Sequence, residues 1–160
     1  MAFWCQRISF VFILFFCLQT LAAQQWQHDE LWNHIKNIDV GESDNPSDLL
    51  HEIDDYVKIS RLQNWQDIEI LVMSKKASVY SMLEKFDKVK NLVDKYLPLA
   101  EEHNNSLSKL ELIPLLLEYY DNNRDLNNST KVRETYQHEA LAFDDKELIV
   151  AMYIQIALSK

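Results

Sequence analysis

From residue 24 onward, apolar positions recur three and four residues apart, the spacing that gathers them on one face of an α-helix. Leu31, Ile35 and Ile38 make the first such face, and Gly41 stands where a left-handed cap would end the helix. Gly41-Glu-Ser-Asp-Asn-Pro46 then breaks the pattern. Ser47 is the expected cap of a second helix, with Leu49, Leu50, Ile53, Tyr56, Val57 and Leu62 as its stripe. A third is expected over 64–83, capped by Asn64 and turning Ile68, Leu71, Val72, Ala77 and Tyr80 inward. Glu84 and Lys85 mark a short break before a fourth over 86–103. The polar run His103-Asn-Asn-Ser106 precedes a fifth over 107–120, and residues 121–128 turn the chain into a sixth over 129–143. Asp144 and Asp145 open a last helix that continues to the final residue. Helices of this length on short turns pack as antiparallel neighbours.

Composition agrees with the pattern. Gly41 is the one glycine, and the prolines are Pro46, Pro98 and Pro114, which starves the chain of the turn residues that hairpin-rich β proteins use. The expected class is all-α. At 160 residues one domain can bury a core. Its formal net charge of -9 argues against nucleic acid, which needs clustered Lys and Arg, and against anionic lipid.

Residues 1–23 differ from the rest. Arg7 precedes an apolar run over 8–18, interrupted by Ser9, and the small pair Ala22 and Ala23 follows. A positive start, a short apolar stretch and small residues at its end predict a cleaved signal peptide and a periplasmic or secreted product. The run is shorter than the roughly 20 residues of a bilayer span. Retained instead, it would anchor the protein, and that is the only membrane contact expected. Both cysteines, Cys5 and Cys17, fall here, so the exported chain would have no disulfide and no thiolate metal site. The expected organisation is a leader over 1–23, an N-terminal helix and linker over 24–46, and a helical-repeat domain over 47–160.

The helices repeat. Tyr80, Phe86 and Tyr96 return as Tyr120, Leu126 and Tyr136; Glu111-Leu-Ile113 returns as Glu147-Leu-Ile149, with Glu69-Ile-Leu71 of the same character earlier. A helical hairpin every forty residues or so is the mark of an α-solenoid. In order and spacing, Ala77, Tyr80, Phe86, Val89, Val93 and Tyr96 resemble the tetratricopeptide repeats, and the stretch from Phe86 through Tyr96-Leu-Pro-Leu-Ala-Glu-Glu102 is similar to their longer variants. A second copy offers Tyr120, Leu126, Ser129 and Tyr136, with Leu117 where that family has a small residue.

The resemblance covers about residues 64–160. It implies stacked hairpins whose first helices line a concave face that binds a peptide or protein. Behind a leader, it resembles the periplasmic sensory part of membrane-bound signalling proteins, some diguanylate cyclases among them. By register it places Ser74, Ser78, Ser81, Glu118 and Asp121 on the concave face. The apolar ending Ile156-Ala-Leu-Ser-Lys160 predicts a shortened relative, a fragment, or an edge that pairs with a partner or a second copy. The alternative reading is a remnant of a larger repeat-containing cyclase with no activity of its own.

Chemistry-bearing motifs are scarce. His28, His34, His51, His103 and His138 include no pair on one helix face and no His-Glu-x-x-His. His28 beside Asp29 and Glu30 reads as a solvated polar segment sooner than as a metal site, and His103 and His138 as partners of helix ends. Asp54-Asp55, Glu101-Glu102 and Asp144-Asp145 diverge by about 100° on a helix, so neither carboxylate of a pair supports the other on one substrate. A chain with one glycine has no Gly-x-Ser-x-Gly elbow and no phosphate loop. The tyrosines at helical spacing read as packing between hairpins. Asn104, Asn127 and Asn128 begin Asn-x-Ser/Thr triplets, which matter only in a eukaryotic secretory pathway. The expectation is a binding module without catalytic residues, metal or cofactor.

Overall fold

The computed structural model describes residues 26–143 and 146–158. Seven helices lie within them: α1 (His28–Lys36), α2 (Pro46–Leu62), α3 (Gln66–Met82), α4 (Phe86–Glu102), α5 (Ser106–Asn122), α6 (Leu126–Phe143) and α7 (Lys146–Leu158). The described residues contain no strand, and the all-α expectation holds. None of their helices is long and apolar enough to cross a membrane. The expected leader, Ala22 and Ala23 included, lies outside the described residues, as do Asp144 and Asp145.

Helices α2 to α5 are each 17 residues long, and α2 to α6 begin at Pro46, Gln66, Phe86, Ser106 and Leu126. One turn geometry sets this spacing. Asn64, Glu84, Asn104 and Arg124 all have positive φ, between 52° and 57°. After each, an amide reaches back five residues to a carbonyl of the last helical turn: Trp65 to Ser60 at 2.9 Å, Lys85 to Tyr80 at 2.9 Å, Asn105 to Ala100 at 2.8 Å and Asp125 to Tyr120 at 2.9 Å. This is the Schellman closure, which satisfies carbonyls the helix leaves open. Glycine usually takes the left-handed position. Here two asparagines tolerate it, while Glu84 and Arg124 hold it against the steric cost of a longer side chain.

Three expected caps fall elsewhere. Asn64 closes α2 instead of opening α3, whose first residue follows Trp65. Asn45, not Ser47, caps α2: its side-chain oxygen accepts from the Ser47 amide at 3.2 Å, with Pro46 at the first helical position. Gly41 is not left-handed; α1 ends earlier, at Lys36 with Asn37 as cap, and the Gly41 amide donates to Asp39 Oδ1 at 2.9 Å.

Successive helices from α2 to α7 pack against one another, and α3 also packs against both α1 and α5. Polar contacts fix the directions. Arg61 with Glu69 and Lys76 with Asp54 make α2 and α3 antiparallel, as Lys109 with Glu139 and Ser129 with Asp121 do for α5 and α6. Between α3 and α5 the partners climb together, Asp67 with Asn105, Ser74 with Glu111 and Ser81 with Glu118, so these helices are parallel. Thus α1, α3 and α5 lie side by side as an inner row, and α2, α4 and α6 pack outside it.

Burial follows the rows. Inner α3 is apolar around most of its circumference, and Ile68, Ile70, Leu71, Val72, Ala77 and Val79 are all fully buried. Outer α4 turns in a single stripe, Val89, Val93, Tyr96 and Ala100. A main core joins α1 to α4 and reaches Leu112; a second, around Leu110, Ile113, Tyr136 and Ala140, receives Ile149 and Ile156 of α7.

Candidate functional site

The inner row is where the sequence placed its candidate contacts, and most of them turn out to be spent on neighbours. Ser74 is fully buried; its hydroxyl lies against the Leu71 carbonyl at 2.8 Å and against Glu111. Ser78 is half-buried and donates to the Ser74 carbonyl at 3.2 Å. Ser81 donates to Glu118 across the α3–α5 seam. Asp121 faces α6, accepting from Ser129 with the Arg133 guanidinium 3.7 Å away. Ser74 and Ser81, through Glu111 and Glu118, zip two inner helices together, and Ser74 cannot touch a ligand without opening that seam.

Lys75 anchors the same seam from its other side. Its ammonium lies 2.9 Å from Glu111 and donates to the Ile38 carbonyl at 3.0 Å, just past the end of α1. One buried cation thereby holds three inner helices and complements the carbonyl end of α1.

Two histidines dock α1 further. His28 Nε2 is 2.9 Å from Asp67 and its Nδ1 is 3.1 Å from Asp29, while its ring meets Trp65 edge-on. The hydrogen bond to Asp29 and then that to Asp67 raise the His28 pKa above its ordinary value, outweighing a desolvation penalty. His34 Nε2 is 2.7 Å from the Tyr56 hydroxyl, which also bonds Glu52; Trp26 stacks over His34 at 5.2 Å. Burial, then the Glu52 carboxylate, push the Tyr56 phenol up. Among the described residues no three His, Cys, Asp or Glu side chains converge as a metal would need.

The open surface lies at the end of the stack where α3 and α5 begin. A cleft of about 650 Å³ is bounded by Trp32 and Lys36 of α1, Asp67 of α3, His103 to Leu107 in the α4–α5 turn, and Phe143 closing α6. Comparison with family models, with curated proteins and with solved structures gives no match. The site therefore rests on its own geometry.

That geometry divides into three parts. The floor is polar and satisfied: Asn105, 8% exposed, donates to the Asp67 carbonyl at 3.3 Å and accepts from the Ser108 amide at 3.1 Å, while His28 holds the Asp67 carboxylate. The walls are Trp32, Leu107 and Phe143, the last 39% exposed. The rim carries Lys36 and His103, whose side chains have no partner among the described residues. A second hollow of about 640 Å³ at the far end has Phe86 and Tyr119 in its lining and is rimmed by charges of both signs, Glu84, Lys85, Asp87 and Lys88.

Of these cleft residues the sequence singles out His103, as a partner of a helix end, and Asn104, as the start of an Asn-x-Ser triplet. Their shared signal is faint: His103 and Phe143 stand one forty-residue period apart, as do Asp67 and Leu107, so the repeat carries both pairs to one end of the stack.

Proposed function

We propose that this protein is an exported, non-catalytic helical-repeat module, tetratricopeptide-like in its stacking, that binds a peptide or protein segment. Supporting the reading is the period itself. Hairpins of forty residues with parallel inner helices are how quasi-one-dimensional repeat proteins build extended binding surfaces. The observation that carries it is the end cleft, which combines apolar walls with a polar floor already satisfied. Such a surface offers contact area and orienting groups but no aligned nucleophile and base.

The leader-like residues 1–23 support export, and a sensory role at a cell surface would follow if the segment is retained as an anchor. The test is selection from a displayed library of random twelve-residue peptides. The reading expects peptides that bind saturably, compete with one another and lose binding on Trp32→Glu. A library that yields no saturable binder would count decisively against it.

A further inference from the structure

We infer that the end cleft takes an extended segment presenting a bulky apolar side chain flanked by carboxylates; this rests on the peptide-binding reading and specifies its ligand. The apolar part follows from Trp32, Leu107 and Phe143, which line one hollow, the first two half-buried and the third exposed. An aromatic or branched side chain entering there gains roughly 1.5–3 kcal/mol from burial.

The acidic part follows from charge complementarity. The chain as a whole is at -9, whereas the residues lining this cleft include one ammonium, Lys36, and one carboxylate, Asp67. Its one carboxylate, Asp67, is held by His28 at 2.9 Å. Lys36 and the His103 imidazole stand at the rim with no carboxylate against them among the described residues. The amino end of α5 adds the positive pole of a 17-residue helix. Carboxylates either side of the anchoring side chain would meet Lys36 and the His103 N–H. A basic segment, although drawn to the acidic protein at long range, would arrive beside the Lys36 ammonium and the wrong helix pole.

Two matched probes test this: the acetylated, amidated hexapeptide Asp-Glu-Leu-Phe-Glu-Asp and its counterpart with lysine at every acidic position. Each is titrated into the protein by calorimetry, and by heteronuclear NMR to locate the contact. The expected result is tighter binding of the acidic probe by roughly tenfold or more, with shifts at the Trp32 indole and the 103–107 amides. Lys36→Glu, an exposed change remote from the core, should abolish or invert the preference. Equal affinity, preference for the basic probe, or shifts centred on Ser78 and Glu118 would overturn the inference. If neither probe binds while library peptides do, this ligand chemistry fails and the module reading stands; if the library fails too, both fall.

Discussion

Lys75 and Glu111 sit 2.9 Å apart on parallel helices 36 positions apart in sequence, with side chains only 11% and 19% exposed. The Lys75 ammonium also caps α1, so removing one partner strands a charge inside three helices. Lys75→Met is expected to cost about 3–5 kcal/mol. Adding Glu111→Leu should recover most of that loss, because the pair balances its own desolvation. Urea denaturation of the two single variants and the double variant measures the coupling.

The four turns supply a stabilising prediction. Glu84 and Arg124 are exposed and left-handed, a conformation that costs a non-glycine residue roughly 1–2 kcal/mol, partly offset by the extra freedom glycine brings to the unfolded chain. Glu84→Gly and Arg124→Gly are each expected to raise stability by roughly 0.5 kcal/mol. Asn64→Gly should do less. Glu84→Val should lower the thermal midpoint, since a β-branched residue fits the left-handed region worst.

Pro98 is exposed in the interior of α4, where it removes one helical hydrogen bond and crowds the carbonyl four residues back. Pro98→Ala loses no buried surface. It is expected to stabilise the protein by about 1–3 kcal/mol, read as a shift in the denaturation midpoint at unchanged slope.

Docking of α1 should depend on pH through His28. Its folded pKa lies above the ordinary 6.5, because Asp29 and Asp67 favour the imidazolium. The stabilisation is therefore fully present below about pH 6.5 and is lost as pH rises through the raised folded value. The stability gap between the wild type and His28→Gln should be widest at pH 5–6 and narrow toward pH 8–9. A gap that widens with pH would contradict this account.

Rows that are buried in the inner helices reach open surface in α7. Ile70 and Leu110 are 0% and 3% exposed, whereas Val150, one period on, is 57% exposed; Met73 and Ile113 give way likewise to Tyr153 at 48%. Leu110→Ala is expected to cost about 2–5 kcal/mol and Val150→Ala under about 0.5 kcal/mol. Sedimentation at rising concentration is expected to show self-association that Tyr153→Glu and Ile154→Glu abolish.

Much of the fold could be read from residues alone. The recurrence of Tyr80, Phe86 and Tyr96 at Tyr120, Leu126 and Tyr136 shows the period, and of these Tyr96 and Tyr136 hold matching core places at 1% and 3% exposed, whereas Leu126 is 70% exposed. Caps were harder. Asn64 is equally plausible as the start of one helix or the end of another, and only the bond from Trp65 to Ser60 decides. Gly41 drew attention as the lone glycine, yet four other residues carry the left-handed turns.

The candidate site was less legible for a physical reason. Ser74, Ser81 and Glu118 are polar residues on inner helices, which in sequence looks like a surface meant for a ligand. Parallel inner helices press those faces together, so their hydrogen bonds close on each other. Trp32, Leu107 and Phe143 come from three separate helices and share no local spacing. Nothing short of tertiary structure brings them into one cleft.

The identical turns have a consequence for how such a chain can change length. Each three-residue link resets direction and register in the same way, so adding or removing a whole hairpin of forty residues leaves every remaining interface matched. A single residue inserted within α3 would instead rotate all that follows by about 100° against all that precedes it and unmatch the seams that cross the insertion. Growth in this architecture is quantised, and its history would be written in duplications of whole hairpins, with point insertions confined to the longer loop between α1 and α2.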